Sequence, residues 1–340
     1  MYAAVAARDA CFDGIFFVGV RTTGIFCRPG CAARTPLRRN VTFFPSANEA
    51  LEEGFRPCLR CRPLEPQGKA PAAIRRLIAE VAADPSVRVR DRDLRARGLD
   101  PATVRRWFQR HHGMTFQAYQ RTARLARGLN GLARGEGITS AAFGSGYDSL
   151  SGFRDALRTL TGQSPSGSRE MIVVHTTRVD SPLGPLLLGA TDDALCLLEF
   201  ADPARSEEQR RRLAKRLGCF FAPGSNGVTD RMAGELERYF AGELKEFETP
   251  LLTPGTDFQR RAWAALREIP YGETRSYRDQ AEAIGSPEAV RAVARANGAN
   301  RIAIVIPCHR VIGTDGSLTG YGGGLARKEF LLELEKRAAS

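Results

Sequence analysis

Three parts of this 340-residue chain differ in how hydrophobic and polar residues alternate. Between residues 13 and 27 apolar side chains occupy alternate positions, which is typical of a β-strand. Between 101 and 157 apolar residues recur every three or four positions, which predicts helices. Strand-like runs return at 172–177, 185–190 and 194–200. The pattern therefore predicts a multidomain α+β protein with an all-α middle region.

The middle region reads as two consecutive helix-turn-helix units. In the first unit a helix begins at Pro101, with Asp100 as its N-cap, and Val104 and Phe108 fall on the face that would be buried. The second unit, residues 138–157, repeats the order of short helix, glycine-containing turn and capped helix. The second helix of such a unit can enter the major groove of DNA.

Charge is concentrated in the same region. Residues 66–170 hold 18 Lys and Arg against 9 Asp and Glu, a net of +9, whereas residues 171–340 are balanced at 23 each. A basic helical module of this kind indicates binding to a polyanion such as double-stranded DNA. The chain has no apolar run of 18 residues and no signal-peptide pattern, so we expect no membrane segment and a cytoplasmic location.

Four of the eight cysteines have metal-ligand spacing. Cys27 and Cys31 form a C-x3-C pair, and Cys58 and Cys61 form a C-x2-C pair, each beside proline or glycine. Two such turns can place four thiolates around one zinc ion, and an iron-sulfur cluster is the alternative for the same ligands. Cys11 lies outside both pairs, and we interpret it as a small core residue. The cysteines thus favour a reducing compartment and a zinc site over a disulfide framework.

A thiol beside an imidazole is the second chemical feature. Cys308 precedes His309 in a Pro-Cys-His-Arg string, which follows the apolar run 304–306 and precedes a segment rich in glycine. A neighbouring base converts a thiol into a nucleophilic thiolate. A buried structural cysteine is the alternative. Polar residues placed against an apolar run favour the reactive interpretation.

The string 307–310, with Asn300 before it and Tyr321 and residues 322–329 after it, closely resembles the O6-alkylguanine-DNA alkyltransferase family. This resemblance implies irreversible transfer of methyl from O6-methylguanine, and from O4-methylthymine, to Cys308 in a single turnover. It also implies a ribonuclease-H-like α/β subdomain at 171–252 and a helical DNA-binding lobe at 253–340.

The same resemblance implies roles for individual residues. His309 takes the thiol proton through a water, and Glu335 orients the histidine. Spacing alone leaves Glu333 as an alternative to Glu335. Asn300 shapes the turn around the active site, and Tyr321 donates to the guanine as it gains charge.

Two further residues match family positions that handle the extruded base. Arg291 matches the arginine that enters the DNA stack, and Tyr277 matches the tyrosine that helps to rotate the phosphate. On the helix after Pro287 we expect one apolar face and one basic side, formed respectively by Val290, Val293 and Ala294 and by Arg291 and Arg295. Because base extrusion costs a few kcal/mol, a residue that fills the vacated stack is a sensible requirement.

The N-terminal cysteines lie in a second motif. Residues 22–31 and 54–63 resemble the metal-binding domain of the Ada family, here assigned to residues 1–65. This resemblance implies that Cys27 accepts methyl groups from methylphosphotriesters in DNA. It also implies that Thr23 and Arg34 contact the DNA backbone.

The helical module, assigned to 71–168 after a linker at 66–71, resembles the AraC-type regulators. Together these resemblances predict a DNA-repair methyltransferase in which methylation of Cys27 switches on transcription. An activator also implies RNA polymerase as a partner, and we expect a monomer. Two alternatives are a zinc-containing regulator with a non-catalytic C-terminal lobe and a Cys-His hydrolase.

Overall fold

The computed structural model of the chain describes residues 1–9, 12–13, 16–44, 47–64, 71–201 and 203–339. Cys11 and the linker expected at 66–71, apart from Pro71, lie outside these ranges. None of the helices within them combines the length and apolar character needed to cross a lipid bilayer.

The N-terminal region is a small sheet flanked by two short helices. Its elements are α1 (Tyr2–Ala6), β1 (Phe17–Val20), β2 (Ile25–Cys27), β3 (Val41–Phe44), α2 (Ala47–Glu52) and β4 (Arg56–Pro57). Within the described residues the strand order is β3-β1-β2-β4, and β2 and β4 are parallel. This pairing places the two cysteine-bearing turns side by side, since Cys27 ends β2 and Cys58 follows β4.

The single strand expected between residues 13 and 27 is instead a hairpin. β1 and β2 pair antiparallel, with Val18 opposite Cys27. The chain reverses through residues 21–24, where Gly24 adopts a positive φ of 64° that glycine accommodates without steric cost. The turn residues are Arg-Thr-Thr-Gly, a polar run ending in glycine, and this turn signal was overlooked when one strand was expected.

The middle region is all helical, as the periodicity predicts. Its elements are α3 (Ala72–Ala83), α4 (Asp91–Ala96), α5 (Pro101–His112), α6 (Phe116–Ala133), α7 (Ile138–Gly144) and α8 (Leu150–Thr161). Asp100 accepts hydrogen bonds from the backbone of Ala102 and Thr103, which confirms it as the N-cap of α5. Val104 and Phe108 are buried in the core of the first unit.

The region in which the sequence predicts a ribonuclease-H-like subdomain is a four-stranded sheet with helices. Its elements are β5 (Ile172–Val179), β6 (Leu186–Ala190), β7 (Leu195–Phe200), α9 (Pro203–Leu217), β8 (Cys219–Pro223) and α10 (Gly227–Phe240). The order is β7-β6-β5-β8 in the part of the chain that is described, with β5 and β8 parallel.

The last region is a helical lobe. Its elements are α11 (Asp257–Arg267), β9 (Arg275–Ser276), α12 (Tyr277–Ala283), α13 (Val290–Gly298), β10 (Val311–Ile312) and α14 (Leu325–Ala339). Leu198 of β7 exchanges backbone hydrogen bonds with Arg301 and Ala303, so the ribonuclease-like sheet supports the segment before Cys308. One hydrophobic core spans the two regions and includes Cys308. The predicted fold class is confirmed.

Candidate cysteine sites

The apolar run before Cys308 forms a tight turn. Ile304 is buried and has a φ of 71°, a conformation that is costly for a β-branched residue. The Asn300 side chain holds this turn, because its amide donates to Ile306 O at 2.8 Å and its oxygen accepts from Ile302 N at 2.9 Å. Asn300 therefore shapes the backbone that presents the thiol.

Cys308 begins a single turn of 3-10 helix, Cys308–Arg310, and is only 9% exposed. The Nδ2 atom of Asn300 lies 3.4 Å from its Sγ atom. A donor at this position stabilises a thiolate more than a thiol. The same asparagine thus contacts both the turn and the nucleophile.

His309 is fully buried, and its Nε2 atom lies 2.8 Å from Glu335 Oε1. With an ionised carboxylate as its partner, Nε2 carries the proton and Nδ1 is left as an acceptor. Among the described residues Nδ1 has no hydrogen-bond partner. The imidazole is therefore oriented on one side by Glu335 and able to accept a proton on the other.

Glu335 is held by several donors besides His309. Arg310 donates from Nε at 2.8 Å and from Nη2 at 3.0 Å, Tyr239 donates its hydroxyl at 2.7 Å, and the backbone of Gly272 donates at 3.2 Å. Glu333, the alternative left open by spacing, is exposed on the opposite side of α14. The structure places Glu335, not Glu333, against His309.

The protonation states follow from this network. Burial lowers the pKa of His309, and the hydrogen bond to Glu335 opposes that shift only in part. Burial alone would raise the pKa of Glu335, but the hydrogen bonds and charges of His309 and Arg310 outweigh it and lower the pKa to about 2. At neutral pH the pair is a neutral imidazole and a carboxylate, the state that a general base requires.

Tyr321 lies beside the histidine, with ring centroids 6.5 Å apart and the rings nearly perpendicular. A side chain at position 323 would place its Cβ 2.8 Å from the Tyr321 ring, so Gly323 permits this close packing. Tyr277 begins α12, and its hydroxyl donates to Gly320 O at 3.3 Å. Both tyrosines therefore border the segment that follows the thiol.

Arg291 is exposed in the first turn of α13, away from the buried network. The buried face of this helix consists of Val293, Ala296 and Asn297, whereas Ala294 is exposed. The prediction that Ala294 belongs to the apolar face is wrong, because α13 packs its Ala296 side against α11 and its Asn297 bonds to Gln280 of α12. Arg291 and Ala294 share the outer surface.

Sequence reasoning missed three residues around the thiol. Arg310 was only part of the motif, yet its guanidinium binds Glu335 and also donates to Ile269 O. Tyr239 lies 96 residues from Glu335, and no local pattern signals their contact. Lys328 is fully buried, with Nζ donating to the carbonyls of Val311 and Thr319. A sequence signal was available only for Lys328, which is a charged residue at a position of α14 that faces the core.

The four N-terminal cysteines form a compact cluster. Their sulfur atoms all lie within 4.8 Å of one another, and those of Cys31 and Cys58 are 4.0 Å apart. A tetrahedron of four sulfurs around zinc has edges of about 3.8 Å, so the cluster fits this ion. The backbone of Arg28 donates to the Cys61 sulfur at 3.4 Å, as outer contacts of a metal site do.

Next to this cluster is a cavity of about 270 Å³. Cys27 is half-buried in its wall, and Thr23 and Arg34 line the same cavity. Thr23 and Arg34 are both exposed, so their polar groups can meet a molecule outside the protein. The structure thus brings together the three residues expected to act on phosphotriesters.

Four family profiles match successive parts of the chain. They describe the metal-binding domain of Ada (residues 1–64), a helix-turn-helix domain (94–171), and the ribonuclease-like (174–253) and DNA-binding (257–337) domains of 6-O-methylguanine DNA methyltransferase.

Two relatives and one solved structure illustrate the match. The bifunctional transcriptional activator/DNA repair enzyme Ada of Escherichia coli is 39% identical, over 97% of this chain and 94% of its own length. The methylated-DNA–protein-cysteine methyltransferase of Mycobacterium tuberculosis is 50% identical over 49% of this chain and 95% of its own length. A crystal structure of M. tuberculosis OGT in complex with DNA has 47% identity over 49% of this chain and 94% of that one, with a TM-score of 0.42.

The fold and the Cys308 site define a DNA-repair methyltransferase that transfers a methyl group to a cysteine of the protein. With a zinc-binding domain and an AraC-type helix-turn-helix domain preceding that unit, the chain belongs to the Ada family of bifunctional repair proteins and transcriptional activators. The predicted enzyme class, zinc site and DNA partner are confirmed.

Proposed function

We propose that Cys308 is the acceptor for methyl groups from O6-methylguanine and O4-methylthymine, and that His309 is its general base. The imidazole takes the thiol proton at Nδ1 through a water, while Glu335 holds the ring at Nε2. The sulfur attacks the methyl carbon, a C–S bond forms and the bond from carbon to the guanine oxygen breaks. The observation that carries this assignment is the buried chain from His309 to Glu335 beside the thiol.

Tyr321 donates to the guanine as its oxygen or ring nitrogen gains charge, and Asn300 fixes the turn and the sulfur. Because Cys308 is only 9% exposed, the base must leave the helix to reach it. Arg291, exposed on α13, fills the vacated stack, and Tyr277 helps to rotate the phosphate. The thioether product is stable to water, so one turnover consumes the site.

Cys27 is the acceptor for methyl groups from methylphosphotriesters, with Thr23 and Arg34 binding the backbone in the adjoining cavity. Zinc, when bound, keeps the cysteine sulfurs deprotonated and electron-rich at neutral pH. The Cys27 sulfur displaces a phosphodiester, so the carbon–oxygen bond of the ester breaks as the carbon–sulfur bond forms. Loss of one negative charge at Cys27 then weakens repulsion of DNA phosphates and favours operator binding.

In this proposal the chain has four functional units, which are residues 1–65, 71–168, 171–252 and 253–340. RNA polymerase is the partner of the activated, DNA-bound monomer. The protein acts in the bacterial cytoplasm, at the nucleoid when bound to DNA, because both its substrate and its operator are chromosomal.

Intact mass spectrometry with peptide mapping tests these assignments. A duplex with O6-methylguanine should add one methyl to the peptide that contains Cys308, and a duplex with methylphosphotriesters should add one to the peptide that contains Cys27. A zinc-containing regulator with a non-catalytic C-terminal lobe predicts no methyl on Cys308. Methyl transfer to any other residue would overturn the assignment.

A further inference from the structure

A cavity of about 510 Å³ in the helix-turn-helix region is lined by five arginines. We call this group the arginine cradle: Arg88, Arg90, Arg105, Arg121 and Arg124. One carboxylate, Asp91, is the only acidic group among the described residues of the lining. An open cavity with this excess of guanidinium groups attracts anions.

Arg124 is the unusual member of the cradle. It lies in the middle of α6 between core residues Ala123 and Leu125 and is only 8% exposed. Among the described residues its Nε and Nη1 atoms have no hydrogen-bond partner. Charged groups are rarely buried without a partner, because removing them from water costs several kcal/mol. A ligand with several oxygen acceptors would satisfy the N–H donors of the Arg124 guanidinium, and the oxygens of a phosphate match the geometry of these donors.

The walls of the cradle are held by hydrogen bonds. Gln120 accepts from Val89 N at 2.8 Å and donates to Val89 O at 3.0 Å. Gln117 donates to Asp91 at 2.6 Å, which fixes the start of α4 against α6. The cavity is therefore a preformed feature of the first unit, in which Arg124 provides the floor and the exposed Arg121 the rim.

The cradle lies at the junction of the two helix-turn-helix units. Arg88 donates to Asp148 at 2.7 Å and to Gly146 O at 3.0 Å, both in the turn of the second unit. Arg105 belongs to α5, the second helix of the first unit. When two such helices occupy neighbouring major grooves, the DNA backbone must pass between the units. An anion in the cradle would lie on that path.

We propose that the arginine cradle is a phosphate subsite that holds one backbone phosphate of operator DNA between the two helix-turn-helix units. This inference rests on the proposed activator function and adds a contact to it. Free phosphate offers the same oxygens, so the experiment must separate these two sources.

The test is the affinity of the full-length, zinc-loaded protein, first methylated at Cys27 by a methylphosphotriester duplex, for two duplexes, measured by fluorescence anisotropy over a potassium chloride series. One duplex is selected by the wild-type protein from a random library, and the other is a scrambled sequence. Arg124→Gln should weaken binding to both by about tenfold, because phosphate contacts carry no sequence information. The slope of log affinity against log salt should fall in magnitude by about 0.9.

Arg127→Gln is the matched control. Arg127 is one turn further along α6, is exposed, pairs with Asp84 at 2.7 Å and does not line the cradle. The slope of log affinity against log salt for Arg127→Gln should equal that of the wild type. Arg121→Gln changes only an exposed side chain of the rim and should repeat the slope change of Arg124→Gln. If Arg124→Gln does not fold, the salt slope of Arg121→Gln tests the inference in its place.

Wild-type slopes in both cradle variants, on an operator that the wild type prefers, would overturn the inference and leave the activator proposal intact. Failure of the wild type to prefer any duplex would instead overturn the activator proposal. Thermal unfolding with millimolar inorganic phosphate, at constant ionic strength, separates the sources. Stabilisation of the wild type but not of Arg124→Gln, with unchanged DNA slopes, would make free phosphate the occupant and exclude the DNA backbone.

Discussion

The two cysteine sites reach a reactive sulfur by different routes. Cys308 is 9% exposed and lies beside a histidine whose partner carboxylate is bound by Arg310 and Tyr239. Cys27 is half-buried at the edge of a small sheet, among three other sulfurs and beside a 270 Å³ cavity. The Cys308 site depends on a buried hydrogen-bond network, and the Cys27 site depends on a metal ion.

The difference in exposure matches the difference between the substrates that we propose for the two cysteines. A methylated base is normally stacked inside DNA, so a buried thiol suits a base that has been extruded. A phosphotriester lies on the outside of the duplex, so a thiol at an open cavity can reach it. The two cysteines that we propose as methyl acceptors therefore share no part of their activation. This independence can be tested.

The largest effect is expected for Cys308→Ser. A serine hydroxyl ionises far less readily than a thiol and is a much weaker nucleophile toward a methyl carbon at neutral pH, so transfer from O6-methylguanine should be abolished. Transfer from phosphotriesters to Cys27 should be unchanged, as measured by intact mass. Cys196→Ala is the control, because burial raises the pKa of the Cys196 thiol to about 12 and makes it inert. Loss of both activities in a folded Cys308→Ser protein would contradict independent sites.

Zinc removal should break the other site. The N-terminal cores are small, with clusters of five and four buried residues in the described part of the chain, so residues 1–64 should unfold without the metal. Transfer to Cys27 should be lost and then restored by added zinc, while transfer to Cys308 continues. Limited proteolysis with mass mapping would report the unfolding. Protection of residues 1–64 in metal-free protein would argue against this dependence.

Glu335→Gln should slow transfer to Cys308 by about a hundredfold, because the neutral amide no longer stabilises the imidazolium that forms. The single-turnover rate constant measures this effect. Glu333→Gln changes an exposed neighbour on the same helix and should leave the rate unaltered. Equal rates for wild type and Glu335→Gln would remove the carboxylate from the mechanism.

The smallest effect concerns pH. Because burial lowers the pKa of His309 below 6.5, the base stays neutral and the transfer rate should stay level as pH falls through 6.5. Glu335 has a folded pKa of about 2 against an ordinary 4.5, so its stabilising contribution is complete above pH 4.5 and disappears toward pH 2. Urea unfolding of the methyltransferase region should lose on the order of 3 kcal/mol over that window. Glu335→Gln should abolish this part of the pH dependence.

Much of the architecture follows from local pattern. Helical periodicity and the Asp100 cap predict α5, and the spacing of Cys27, Cys31, Cys58 and Cys61 predicts the metal cluster. These features depend on neighbours a few residues away or on ligand chemistry, so they are readable in the sequence. The hairpin at Gly24 was missed although the polar run at residues 21–24 interrupts the apolar pattern and ends in a glycine with positive φ, which is a turn signal.

The fold class, the four-cysteine cluster and the adjacent Cys308 and His309 could be read from the sequence, because motif and periodicity are local properties. The family resemblance favoured Glu335 over Glu333, but spacing could not separate them. The tertiary structure places Glu335 against His309, since both glutamates lie on α14 and the direction of its packing decides which one is buried. Tyr239 at Glu335 and the buried Arg124 likewise arise from contacts between distant elements. Burial and long-range hydrogen bonds are set by how helices and sheets pack, which no short stretch of residues specifies.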